Sequence, residues 1–117
     1  MIGEQERKER RYPRVTRATG IWVSWKCNTR RNVSPIRTVG LGGMFIFEDD
    51  PLPEGSVLQM VFKVPGGQDK DSVRARAAVR LAEVGRGMGV EFIQMAPTER
   101  LRLAQLMKKL LPQIAAD

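Results

Sequence analysis

Apolar side chains recur at every second position through most of this 117-residue chain, and that period constrains the fold more than any other feature. Ile21, Val23, Trp25 and Cys27 fall on one face of an extended segment, with Trp22, Ser24 and Lys26 on the other. From Val57 to Val64 the pattern repeats, with Leu58, Met60, Phe62 and Val64 inward and Gln59 and Lys63 outward. Val73, Ala75, Ala77, Val79 and Leu81 then alternate with Arg74, Arg76 and Arg80. That strand has a small apolar face and an arginine face, the latter read as the solvated side of an antiparallel sheet. After the hairpin Gly85-Arg86-Gly87, Met88, Val90 and Phe92 line a final strand.

Breakers separate these runs. Asn28 to Asn32 reads as a turn by composition, and Val33 to Val39 as a second strand weakened near its start by Pro35. Gly40-Leu41-Gly42-Gly43 interrupts it with residues able to adopt positive φ, and Met44 to Phe47 resumes it, so a kinked or bulged strand pair is expected. Glu48 to Gly55 is a loop, and Pro65 to Lys70 is a turn.

From Pro97 the period changes to that of a helix. Leu103, Leu106, Met107 and Leu110, together with Leu101, Ala104 and Leu111, form a broad apolar surface. One side is expected to cover the barrel, and the arc is wide enough for part of it to meet a second chain. Glu99 lies near the positive end of the helix dipole and Lys108 and Lys109 near the negative end, with Pro112 expected to end the helix. Five or six short strands and one terminal helix make this an all-β chain with a terminal helix, a small antiparallel β-barrel under a helical lid. The length allows one core.

Chemistry is restricted by what is missing. The sequence contains no histidine and a single cysteine, Cys27, so neither a zinc site of usual spacing nor an intrachain disulfide can be drawn. Ser24, Ser34, Ser56 and Ser72 have no imidazole to activate them, and no catalytic residue or metal ligand is assigned. The expectation is a binding protein and not an enzyme. A net charge of +7 favours phosphorylated or polyanionic partners. Met1 to Arg11 is polar and lacks the apolar run of a signal peptide, and no later run approaches the ~18 apolar residues of a membrane span, so a cytoplasmic location is expected.

Arg7 to Arg14 reads Arg-Lys-Glu-Arg-Arg-Tyr-Pro-Arg, a cationic segment placed directly before the first strand run. By composition alone it is a solvated tail. Three stretches alter that reading: Arg10-Arg11-Tyr12-Pro13-Arg14-Val15, then Leu41-Gly42-Gly43-Met44-Phe45-Ile46, then Gly87-Met88-Gly89-Val90-Glu91-Phe92 ahead of the helix. In this order and across nearly the whole length, the chain resembles the PilZ domain family, the bacterial receptor module for cyclic di-GMP. The resemblance implies a six-stranded antiparallel β-barrel with a C-terminal α-helix. Residues 1–17 would form the basic segment carrying Arg-x-x-x-Arg, and residues 18–117 the single barrel domain.

The same resemblance implies a ligand site. Arg10 and Arg14 match the two family arginines, with Arg11 as an auxiliary. Arginine can pair with the phosphates of cyclic di-GMP, donate to guanine O6 and N7, and stack on the purine plane. The second family motif, Asp or Asn then x-Ser-x-x-Gly, falls on Thr38, Gly40 and Gly43, so only the glycine survives. A threonine hydroxyl does not offer the two-oxygen fork of a carboxylate, and Gly40 offers no hydroxyl. A second register using Asn32 and Ser34 requires glycine where Arg37 stands and is rejected, although Asn32, Ser34 or Arg37 can still contribute from neighbouring positions.

Two readings follow. One is a stand-alone receptor for cyclic di-GMP, of weakened affinity, that needs no other cofactor and acts through a partner protein. The other is a degenerate adaptor that does not bind the nucleotide and works by protein contacts on the helix or the arginine-faced strand. A nucleic-acid-binding barrel is disfavoured, because Trp22 and Trp25 point to opposite faces of their strand and cannot form one stacking platform.

Overall fold

The computed structural model describes residues 14–15, 20–63 and 67–116. The alternating runs form strands β1 (Arg14–Val15), β2 (Trp22–Cys27), β3 (Arg30–Gly40), β4 (Gly43–Phe47), β5 (Val57–Lys63), β6 (Val73–Glu83) and β7 (Gly87–Gln94). Helix α1 (Pro97–Ala116) follows. Around the sheet the order is β3, β2, β5, β6, β7, β4, and β4 returns to pair with β3. Every pairing is antiparallel, so six strands close a barrel, as both the periodicity and the resemblance implied. The two-residue β1 lies beside the end of β3.

Inward positions fill the barrel. Trp25, Phe62, Ile21, Ile46 and Leu58 are the bulkiest of its fully buried side chains, and small Ala75 and Ala77 on β6 leave them room. Trp22 is 54% exposed and Trp25 only 1%, which is the outward and inward alternation of β2 expressed by two residues of one type. Leu103, Leu106, Met107 and Leu110 of α1 are buried against the barrel core. The Glu48 to Gly55 loop drops Leu52 into the same core. Its end is then tied to β6, where the Gly55 N–H donates to the Val79 carbonyl (2.8 Å) and the Val79 N–H to the Ser56 carbonyl (2.9 Å).

Five local expectations are corrected. Arg30 to Asn32 belong to β3, and the turn is Asn28-Thr29 alone: Asn28 takes φ 56°, a conformation asparagine tolerates, so Cys27 and Arg30 pair directly. None of Gly40, Gly42 and Gly43 has a positive φ. Leu81 is 47% exposed, because β6 is bulged between Val79 and Leu81 and the alternation resets there. Pro112 lies inside α1, whose last residue is Ala116. A proline removes one i→i−4 bond near the helix end while later N–H groups keep their own acceptors. Of the expected apolar arc, Leu101 is 61% exposed and takes no part in the core.

Candidate functional site

β3 and β4 pair Ile36 with Ile46 but Thr38 with Phe45, which makes Arg37 the extra residue of a β-bulge. Strict alternation from Ile36 would turn Thr38 inward and Val39 outward. The bulge reverses that: Ile36 and Val39 are both buried, Arg37 is exposed and Thr38 is half-buried. An outward arginine and an outward hydroxyl therefore stand side by side. The kink or bulge expected of this strand pair at Gly40 to Gly43 lies instead three residues earlier, at Arg37, where it aims two polar side chains at solvent.

The arginine segment ends against this stretch. Arg14 pairs with Gly40 and Val15 with Val39, so the backbone of Arg14 lies within two residues of Thr38 along β3. Gly40 is buried and contributes no polar side chain. Arg10 and Arg11 lie outside the described residues. Of the six residues expected at the site, Arg14, Thr38 and Gly40 are brought together on β1 and β3. Gly43 begins β4, across the bend at Leu41 and Gly42.

Gly43 has a steric role. It registers with Glu91, and a Cβ at position 43 would strike the Val90 carbonyl oxygen, so β4 and β7 approach closely only because no side chain intervenes. Further along the same pair, a Cβ on Gly87 would lie 2.8 Å from Cε1 of Phe45, and one on Gly89 3.8 Å from Cδ2. The Phe45 ring thus covers the bare glycines of β7, with Phe47 edge-on to it at 6.3 Å. Glu91 is exposed and accepts from Arg80 Nε (2.8 Å), placing a carboxylate in register with Gly43 that sequence reasoning did not single out. Its outward position in β7 was the available signal.

Asn32 and Ser34 are engaged elsewhere. Trp25 Nε1 donates to Ser34 Oγ (3.0 Å), Ser34 Oγ donates to Glu48 Oε2 (3.0 Å), and Asn32 Nδ2 donates to the same oxygen (3.0 Å). Arg30 completes the cluster, 3.5 Å from Glu48 Oε1 and 5.4 Å above the Trp25 ring, with a further bond to the Asp50 carbonyl. These groups satisfy one another at the β2–β3 hairpin. Among the described residues no group of three or more metal-ligating side chains converges, and no helix is long and apolar enough to cross a membrane.

The PilZ domain family model matches residues 5–109. The chain belongs to the PilZ domain family. Among solved structures it is similar to the Bacillus subtilis inhibitor of motility, MotI/DgrA, with a TM-score of 0.66 and 19% identity over 86% of this chain and 51% of that one. It therefore spans about half the length of that protein. It is also similar to an uncharacterized Legionella protein, Lpg0364, with a TM-score of 0.57 and 16% identity over 88% of this chain and 98% of that one. At these identities the likeness is one of fold. No curated protein sequence matches the chain significantly.

Proposed function

We propose that this chain is a cyclic di-GMP receptor that passes its state to a partner protein. The observation that carries the reading is the pairing of Arg14 with Gly40, which brings the end of the arginine segment onto the β3 stretch where Arg37 and Thr38 face outward. A ligand with two phosphates and two guanines would find guanidinium groups there, and Arg14 and Arg37 are assigned to it together with Arg10, Arg11 and Thr38. Gly43 gives β4 its close approach to β7 beside this stretch. The similarity to a motility inhibitor supports a signalling role exerted through another protein.

A second reading is favoured by Thr38 and Gly40. The half-buried hydroxyl and the buried glycine leave this part of β3 without a carboxylate to read guanine, and Glu91 is held by Arg80. The adaptor that works by protein contacts alone keeps the barrel and dispenses with the nucleotide.

Isothermal titration with cyclic di-GMP separates the two. The receptor gives saturable heat that weakens on Arg10→Ala or Arg14→Ala; no heat at high micromolar nucleotide leaves only the adaptor. Thr38→Asp restores an acceptor fork and tightens binding by about tenfold, the equivalent of one base contact. Because Gly40 is buried, Gly40→Ser is added only after thermal melting confirms that the variant folds.

A further inference from the structure

On the opposite side of the barrel from Thr38, the outer faces of β2, β5 and β6 form a shallow groove of about 560 Å³, bounded at one end by the residues that lead into α1. Register dictates what faces it. Lys26 pairs with Gln59 and Gln59 with Arg76 in one row, and Ser24 with Val61 and Val61 with Arg74 in the next. Among the described residues, Lys26, Arg74 and Arg76 make no ion pair. Arg76 has only the neutral amide of Gln94 (3.1 Å). The one carboxylate in the groove is committed: Glu99 accepts from the Arg74 backbone N–H (2.8 Å) and from Arg102 Nη1 (2.9 Å). Three cations thus border the groove without compensation, and Val61 and Met95 supply apolar surface between them.

We infer that this groove docks an extended acidic segment of a partner protein. The inference rests on the reading that the chain acts through a protein partner, and not on nucleotide binding. Arg74 and Arg76 are alternate residues of one strand, so their stems repeat at roughly 6.6 to 6.8 Å, the repeat of alternate side chains in an extended peptide. Acidic residues at every second position of such a segment meet the two arginines, while Lys26 lies two strand spacings away, roughly 9.5 Å across the face. Intervening apolar side chains of the segment cover Val61 and Met95. A single-stranded nucleic acid fits less well. Trp25, the one aromatic lining the groove, is turned into the core, and the outward Trp22 lies beyond the Ser24–Val61–Arg74 row, so the groove itself offers no face on which a base can stack.

The probe is a fluorescein-labelled peptide of alternating glutamate and leucine, followed by anisotropy at physiological salt. The intact chain binds it saturably. Arg74→Glu with Arg76→Glu weakens binding by about tenfold, whereas Lys108→Glu with Lys109→Glu, the same charge change on the outer side of α1, leaves it within about twofold. Equal loss in both double variants reduces the effect to net charge and overturns the inference, as does absence of binding in the intact chain. Labelled oligothymidine that binds more tightly than the peptide, and loses affinity on the same two arginines, overturns it in favour of nucleic acid. Melting temperatures of both double variants verify folding, and a cyclic di-GMP titration of the same samples reports the nucleotide reading separately.

Discussion

Single residues decide where this barrel can close and what it shows to solvent. Gly43→Ala drives a methyl group into the Val90 carbonyl, so the variant is expected to lose about 1 to 3 kcal/mol in chemical denaturation. Glu48 gathers the Ser34 hydroxyl, the Asn32 amide and the Arg30 guanidinium; Glu48→Ala strands the buried Ser34 donor and costs about 1 to 3 kcal/mol by the same measurement. The loop pair Lys63–Asp69 offers a titration test. The hydrogen bond from Lys63, followed by its charge, holds the Asp69 carboxyl below its ordinary 3.8. A depressed carboxylate pKa means that the pair contributes in full above the ordinary aspartate range and is lost as pH falls through the lowered value. NMR titration of Asp69 should show that lowered midpoint, and Lys63→Ala should return it to the ordinary range. The residue-scale roles were only partly legible beforehand: the sequence pattern marked Gly43 as a family glycine, but the obstacle at Val90 belongs to another strand and exists only after β4 and β7 pair.

At the scale of elements, periodicity located nearly every strand, because each buries one face and leaves the other wet. It failed where a strand gains a residue. Arg37 and Arg80 are both extra residues, and each shifts the residue after it to the outside, Thr38 in one case and Leu81 in the other. A period-two reading has no means of registering one-residue insertions, since the pairing that absorbs them is non-local. The start of the helix is anchored in a similar cross-chain way. Arg74 lies beyond the last β6–β7 pair, Arg76 with Gln94, and its N–H is satisfied by Glu99 from α1. Glu99→Ala is expected to speed amide exchange at Arg74 and to cost about 0.5 to 1.5 kcal/mol. Leu103→Ala, which empties a fully buried site between α1 and the barrel, should cost about 2 to 5 kcal/mol.

Over the whole molecule, the two surfaces proposed for ligands lie on different sides of the barrel, one at β1, β3 and β4 and the other at β2, β5 and β6. The molecule measures 39 × 34 × 29 Å, several times the roughly 8 Å over which charge is felt at physiological salt. Arg74→Glu with Arg76→Glu should therefore leave the cyclic di-GMP titration within about twofold of the intact chain. The architecture was legible from the sequence because it needs only faces and breakers, whereas the candidate site was legible only through the family resemblance, because Arg14 and Gly40 meet through a two-residue pairing that no local pattern announces. Closure of the sheet by β3 and β4 has a further consequence. Each of the six barrel strands has a neighbour on both sides, so among them no open edge is left on which a partner could add a strand through main-chain bonds. Recognition must be written in side chains. The outward positions can then change from one descendant of this chain to the next, exchanging partners by point substitution while the hydrogen-bonded frame beneath stays the same.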